Sequence, residues 1–154
     1  MKITFAFLLS ISCIQLFACT TTNENNKIHY PDNTINIDTT SMKIIIGDAV
    51  FTAILNNNAT VKAFKAKLPI TLKMKELNGN EKYVELPENL PNNGVNPGTI
   101  QTGDIMLYGS NILVLFYKSF STSYSYTRIG RIENSTGLSK ALGAANVTIT
   151  FEAD

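Results

Sequence analysis

The stretch GDIMLYGSNILVLFY, Gly103 to Tyr117, decides the fold of the chain. Two apolar runs, 104–108 and 111–117, flank Gly109-Ser110 and predict a β-hairpin. Apolar residues occupy both sets of alternating positions, so we expect strands that are buried on both faces. Such strands are typical of the wall of a small barrel, and we expect a helix to cover this wall.

Further short runs of β-branched and apolar residues extend the predicted sheet on both sides of this hairpin. These runs are 42–46, 50–55, 70–77, 82–86, 124–132 and 147–151. Gly47-Asp48 and Asn78-Gly79-Asn80 separate neighbouring runs and indicate tight turns. The sequence therefore predicts a mainly β domain over residues 41–154, a small closed antiparallel barrel of about eight strands.

A covering helix is predicted between the second and third strands. Val61, Phe64 and Leu68 recur at helical spacing, which gives the segment one apolar face. Asn58 is a suitable N-terminal cap, and Pro69 prevents continuation of the helix. We expect about three helical turns that cover one face of the sheet.

The first 18 residues have the composition of a secretory signal peptide. Lys2 precedes an apolar segment that is too short for a stable transmembrane helix. The ending Leu16-Phe17-Ala18-Cys19 resembles the lipobox of bacterial lipoproteins, which implies that Cys19 becomes the first mature residue and carries lipid such as palmitate. Several acyl chains imply stable membrane anchoring in the cell envelope, at the outer membrane or the periplasmic face. The alternatives are an ordinary secretory signal with a chance cysteine, or an uncleaved anchor.

Residues 19–40 are expected to form a flexible tether between the lipid and the domain. They are rich in asparagine and threonine and lack the apolar periodicity that a packed segment needs. Asp38-Thr39-Thr40 resembles an acceptor motif for O-glycosylation of exported bacterial proteins, which makes Thr39 a candidate site. The alternative is a solvated linker without modification.

Composition excludes several classes of function. Removal of residues 1–18 takes away Lys2, one of 13 basic residues, and leaves 12 basic and 12 acidic residues. A neutral chain lacks the positive charge that drives nucleic-acid binding. Cys13 is lost with the signal, Cys19 is acylated, and the only histidine, His29, precedes the domain. We therefore predict no catalytic nucleophile, no metal site and no cofactor.

The stretch FYKSFSTSYSYTRIG, residues 116–130, is rich in aromatic and hydroxyl side chains. If residues 124–132 form a regular strand, their side chains alternate between its two faces. One face then carries Tyr124, Tyr126 and Arg128, and the other carries Ser125, Thr127, Ile129 and Arg131.

This arrangement suggests an open groove floored by Phe116, Tyr124 and Tyr126, with Arg128 at its edge. The irregular segment 87–103 is long enough to form a rim, and loops of this length often carry function. Aromatic side chains with polar ends suit contact with a peptide or a small ligand. The alternative is that these are ordinary core and half-buried strand residues.

Four carboxylates lie close together in the sequence around the second hairpin. A glycosidase would need two of them on opposite sides of a sugar. Lysines are interspersed among them, so we expect surface charge pairing instead. The four carboxylates are Glu76, Glu81, Glu85 and Glu88.

Several motifs in a fixed order resemble a bacterial cyclophilin-like family. The resemblance covers about residues 42–152 and implies a cyclophilin-type β-barrel with a covering helix. The motifs are GDIMLYG at 103–109, LVLFY at 113–117 and YTRIGRI at 126–132, with shorter matches at 68–69, 80–83, 137–138 and 147–151.

The activity of this family does not follow from the resemblance. Catalytic cyclophilins resemble one another in a Phe-His-Arg motif, and this chain has no such motif. We therefore predict a monomeric module that binds an unidentified peptide or small ligand without conventional catalytic residues. One alternative is a prolyl isomerase in which Arg128 or Arg131 supplies the cation. Another is a structural partner domain in an envelope complex.

Overall fold

Eight strands of the computed structural model close into an antiparallel barrel. The structure describes residues 40–154, so the predictions for the signal peptide, Cys19, Thr39 and nearly all of the tether lie outside the described residues. The strands are β1 (Ser41–Ile46), β2 (Ala49–Leu55), β3 (Ile70–Leu77), β4 (Glu81–Glu85), β5 (Thr99–Ile100), β6 (Asp104–Tyr108), β7 (Ile112–Phe116), β8 (Phe120–Ser121), β9 (Tyr126–Ile132) and β10 (Val147–Ala153). The helices are α1 (Ala59–Lys65) and α2 (Leu138–Leu142).

The barrel order is β1-β10-β3-β4-β7-β6-β9-β2, and β2 returns to β1. All neighbouring pairs are antiparallel. The short strands β5 and β8 form a separate two-stranded ribbon. The predicted mainly β fold, a closed antiparallel barrel of eight strands, is confirmed.

The hairpin of β6 and β7 separates two apolar cores. Ile105, Leu107, Leu113 and Leu115 are fully buried in the main core inside the barrel. The intervening side chains point to the opposite face because strand side chains alternate. They enter a second, smaller core that consists of Ile100, Met106, Val114, Phe116 and Tyr126.

The second core is covered by the β5–β8 ribbon. Ile100 of β5 is fully buried in it, and Phe120 of β8 packs against it. The prediction that this wall is buried on both faces is confirmed, but the prediction that a helix covers it is wrong. The ribbon thus forms a raised wall on the outside of the barrel.

Helix α1 begins as predicted and ends early. The Asn58 side chain accepts a hydrogen bond from the Val61 N–H at 2.9 Å. Phe64 is fully buried, and its ring contacts Phe151 of β10 with centroids 5.8 Å apart. The helix ends at Lys65, so it has about two turns and not three.

A β-bulge in β9 changes the predicted alternation. Ile105 pairs with Gly130, whereas Met106 pairs with Arg128, so Ile129 is the extra residue. Arg128 and Arg131 are both exposed, while Ile129 and Gly130 are buried. The prediction that these arginines lie on opposite faces is therefore wrong.

A buried polar cluster joins β3 and β4 to the segment after α2. Lys82 is fully buried and donates hydrogen bonds to Glu76, to the Gly143 carbonyl at 2.8 Å and to the Ala145 carbonyl at 2.7 Å. The Tyr117 hydroxyl donates to both carboxylate oxygens of Glu76, at 2.8 and 2.9 Å. The ammonium of Lys82 therefore has three acceptors, as a buried cation requires.

Hydrogen bonding in this cluster shifts two ionisations. Burial by itself would raise the pKa of the Glu76 carboxyl, but the bonds from Lys82, Tyr117 and the Gly79 N–H outweigh it and lower this pKa below 4.5. Burial and the bond to Glu76 raise the pKa of Tyr117 to about 12. The cluster thus favours a charged carboxylate and a neutral phenol.

Candidate functional site

Exposed apolar side chains gather on one part of the barrel surface. Among residues 40–154, five large apolar side chains are exposed. Three of them, Leu77, Tyr108 and Tyr124, line one pocket, and Val95 lines a second. Tyr126 lines both pockets and separates them. Exposed apolar surface of this kind marks candidate binding sites.

The pocket lined by Leu77, Tyr108 and Tyr124, here called the aromatic pocket, has a volume of about 560 Å³. Strands β4, β6 and β7 form its floor, and β8 with the residues that follow it forms a wall. This volume lies within the range of small-ligand sites. Its lining residues are Leu77, Asn78, Asn80, Glu81, Tyr83, Tyr108, Ile112, Val114, Phe120, Ser121, Thr122, Ser123, Tyr124 and Tyr126.

Five rings beneath and around the aromatic pocket form a continuous chain of contacts. Tyr108 contacts Tyr124 with centroids 6.0 Å apart and planes at 88°, and it contacts Tyr126 at 5.6 Å and 53°. Phe116 contacts Tyr126 at 5.6 Å and Phe120 at 5.7 Å. Edge-to-face contacts of this kind fix ring orientations, so the pocket walls are largely preformed.

Glu81 places a carboxyl group in the aromatic pocket. It is half-buried and, within the described residues, makes no ion pair or side-chain hydrogen bond. Burial, together with the nearby charge of Glu76, raises the pKa of Glu81 to about 7. The prediction that Glu81 pairs with a lysine at the surface is therefore wrong. The same prediction is confirmed for Glu88, which forms a surface ion pair with Lys67.

The raised pKa of Glu81 predicts a pH-dependent cost to folding. The folded state holds the proton up to about pH 7 and the unfolded chain only to about 4.5, so stability falls as the pH rises through this window. We expect Glu81→Gln to increase the free energy of unfolding by about 1–2 kcal/mol at about pH 8.5, allowing for solvent screening. The same substitution should have little effect at about pH 4.5.

Urea denaturation of both proteins at the two pH values measures this difference. Glu85→Gln is a suitable control because Glu85 lies on the same strand, is exposed and lies outside the aromatic pocket. A Glu81→Gln protein with wild-type stability at the higher pH would contradict the prediction.

The second pocket, here called the polar pocket, lies on the other side of Tyr126. It has a volume of about 610 Å³. The segment predicted as a rim forms part of it: the Asn93 N–H donates to the Thr127 hydroxyl at 2.8 Å, and Val95 forms a β-bridge with Tyr126. Its lining residues are Asn58, Ala59, Thr60, Pro91, Asn92, Asn93, Val95, Asn96, Pro97, Tyr126, Thr127 and Arg128.

The four residues proposed for the groove are neighbours but do not line one continuous groove. Tyr124 is 61% exposed at the aromatic pocket, and Tyr126 is nearly buried between the two pockets. Arg128 lines the polar pocket. Phe116 is fully buried beneath Tyr126 and lines neither pocket.

The two arginines of β9 are held by Asp104. This carboxylate is fully buried and accepts hydrogen bonds from Arg131 Nε at 2.5 Å and from the Gln101 N–H at 2.8 Å. Arg128 Nη1 lies 3.7 Å from its other oxygen. Because of the bulge, both cations balance the charge of Asp104, and neither lines the aromatic pocket.

Sequence reasoning missed three contributors to the site, Glu81, Tyr83 and Tyr108. Glu81 and Tyr83 occupy alternating positions of β4 and therefore share a face. The sequence shows this alternation. It does not show that β4 pairs with β7, which places this face beside the tyrosines of β6 and β9.

Residues 40–154 contain neither a metal site nor a membrane-spanning helix. In the part of the chain that the structure describes, no group of three His, Cys, Asp or Glu side chains is placed to hold a metal ion. No helix between residues 40 and 154 is both long and apolar enough to cross a membrane.

The closed barrel, its two short helices and its covered outer wall define a cyclophilin-type architecture. A model of the cyclophilin-like family matches residues 44–152, so the chain belongs to this family. The structure is also similar to the solution structure of a hypothetical protein from Archaeoglobus fulgidus, with a TM-score of 0.52 and 22% identity. The match covers 75% of this chain and 95% of that chain and shows the fold alone. No curated protein matches the chain.

Proposed function

We propose that the barrel is a binding module that holds a peptide or small ligand in the aromatic pocket. One observation carries this proposal. Three of the five exposed large apolar side chains of the described domain line this single pocket, and fixed rings support it. Apolar surface that a protein leaves in contact with water at one preformed concavity is typical of a ligand site.

The position of the arginines favours binding over prolyl isomerisation. An isomerase needs a donor near the amide whose resonance it weakens, because the barrier to rotation is about 18–20 kcal/mol. Arg128 and Arg131 lie beside Asp104, and neither lines the aromatic pocket; Arg128 lines the polar pocket. A protease-coupled assay on a proline-containing peptide tests this alternative, and acceleration that Arg128→Ala abolishes would favour it.

Peptide selection from a random display library tests the binding proposal. Peptides retained by the purified full-length protein are expected to lose about tenfold or more in affinity for Tyr124→Ser. The melting temperature should not change, because Tyr124 is 61% exposed. Val50→Ser is the matched control, since Val50 is 59% exposed and lines neither pocket.

Two results would count against the binding proposal. The first is a selection that enriches no peptide, together with a small-molecule screen that yields no ligand. The second is a retained ligand whose affinity is the same for the wild type, Tyr124→Ser and Val50→Ser.

We also propose that the domain is anchored in the cell envelope through lipid on Cys19. The support is the N-terminal sequence, with its short basic start, its apolar segment and the ending Leu16-Phe17-Ala18-Cys19. Mass spectrometry of the mature N-terminus is the direct test. Acyl groups on Cys19 that disappear in Cys19→Ser would agree with the proposal, and an unmodified mature N-terminus would contradict it.

A further inference from the structure

The aromatic pocket has an unusual balance of charge. Among the described residues that line it, Glu81 carries the one carboxylate, and no lysine, arginine or histidine contributes. Four tyrosines, which include Tyr83 and Tyr108, supply the largest apolar faces, and the remaining polar side chains are neutral amides and hydroxyls. The electrostatic character of the pocket is therefore negative once Glu81 is ionised.

The charge of Glu81 has no partner within the described protein. On the strands beside it, the residues directly opposite are Leu77 and Phe116. Lys75 of β3 shares this face, opposite Tyr83, but the described structure shows no ion pair between Lys75 and Glu81. The nearby Lys82 is fully buried and bonded to Glu76. Glu76 thus has a cation and Glu81 does not, and a ligand that brings a positive charge would complete the second pair.

The tyrosine rings suit the same kind of ligand. Tyr108 and Tyr124 are exposed and meet at 88°, and the nearly buried Tyr126 lies at 53° to Tyr108, so the three rings do not stack in parallel. The faces of aromatic rings carry partial negative charge and attract cations, above all alkylated ammonium groups with little hydration. Rings at steep angles can contact one such group from more than one side.

We propose that the aromatic pocket recognises an alkylated ammonium group, with tyrosine faces around the methyl groups and the Glu81 carboxylate as counter-ion. This inference rests on the proposed function, that the aromatic pocket binds a ligand, and specifies the chemical class of that ligand. The apolar floor of Ile112 and Val114 accommodates the alkyl part, and the volume of about 560 Å³ leaves room for the rest of the molecule.

The proposal predicts that cation binding depends on pH. The groups that act on Glu81 across the packed elements are Glu76 of β3, Tyr117 after β7 and Tyr126 of β9. None of these three groups changes charge between about pH 5.5 and 8.5. The lowered pKa of Glu76 lies below this range, and the raised pKa values of the two tyrosines lie above it. Glu81 loses its charge as the pH falls through about 7. Affinity for a cation should therefore fall with the pH in this window.

The test compares choline with its neutral isostere 3,3-dimethylbutan-1-ol. The two molecules have nearly the same shape and differ in charge. Binding to the full-length ¹⁵N-labelled protein is followed by amide chemical shifts of the pocket residues. At about pH 8.5 choline should bind about tenfold more tightly than the isostere, and at about pH 5.5 this preference should fall to about threefold or less.

Two substitutions assign the preference to one carboxylate. Glu81→Gln should show the low-pH preference at every pH, because the amide keeps the shape and removes the charge. Glu85→Gln should behave as the wild type, since Glu85 lies on the same strand but outside the aromatic pocket.

The outcomes separate this inference from the proposed function. Equal affinity for choline and the isostere at the higher pH, or a preference that Glu81→Gln retains, overturns the cation inference and leaves a neutral-ligand pocket standing. Absence of binding by either molecule also overturns the cation inference. The peptide selection with Tyr124→Ser then decides the proposed function separately.

Discussion

Replacement of Lys82 by methionine is expected to lower the free energy of unfolding by about 3 kcal/mol or more. Methionine keeps much of the volume of the side chain but removes the ammonium that three acceptors share. Glu76 would then be a poorly solvated carboxylate without its cation, and two carbonyl groups would lose a donor. Removing one partner of a buried ion pair lowers the free energy of unfolding by more than the intact pair contributes, because the other charge stays buried without a partner.

The pH dependence of stability gives a second readout of the same substitution. In the wild type the pKa of Glu76 is lowered, so its contribution is present above about pH 4.5 and is lost as the pH falls further. Without Lys82 the pKa of Glu76 should rise, because the bonds from Tyr117 and the Gly79 N–H remain but the cation is gone, and acidification should stabilise the variant relative to the wild type. Urea denaturation at several pH values measures both effects.

Lys75→Met is the matched control for Lys82→Met. Lys75 lies in β3, is exposed, and makes no ion pair within residues 40–154. Its replacement should change the free energy of unfolding by less than about 0.5 kcal/mol. Equal stability of the two variants would show that the buried cluster contributes little.

Gly130→Ala is expected to destabilise the barrel by about 2–4 kcal/mol. A Cβ atom at this position would lie 2.4 Å from the Ile54 carbonyl oxygen and 3.1 Å from the Leu55 Cα. These are backbone atoms of β2, which pairs with β9 here, so the two strands would have to separate at this point of the barrel wall. Thermal unfolding followed by circular dichroism measures the loss.

Gly94→Ala controls for the change in chain entropy that alanine brings. The nearest atom to a Cβ at Gly94 is the Ser125 Cβ at 3.6 Å, an ordinary contact distance. This variant should be as stable as the wild type or slightly more stable. Similar melting temperatures for the Gly130 and Gly94 variants would mean that β2 yields easily at this point.

Much of the barrel could be predicted because its hairpins have local signals. Asn78 and Gly79 both have positive φ, 55° and 68°, which is why an Asn-Gly pair marks that turn. The β6–β7 hairpin shows its two-sided burial directly in its composition. What the sequence did not show is the ribbon that covers it, because two-residue strands are too short to have a recognisable period.

The candidate site was only partly predictable, because long-range pairing assembles it. Tyr124 and Tyr126 were proposed from a single aromatic stretch, and both line the aromatic pocket. The bulge at Ile129 depends on how β6 pairs with β9, which no local sequence pattern shows. It places Arg131 on the same exposed face as Arg128, although regular alternation predicts opposite faces. Glu81 appeared to be a surface charge because its burial arises from strands that are distant in the sequence.

Closure of the barrel restricts how a partner can be recognised. Each of its eight strands already has a neighbour on both sides within residues 40–154, so an incoming peptide cannot extend the sheet by main-chain pairing. Main-chain pairing with a partner is then left to the short β5–β8 ribbon, and recognition at the barrel itself depends on side-chain contacts in its outer pockets. Because few side chains make these contacts, we expect one or two substitutions to be enough to redirect the selectivity of the barrel.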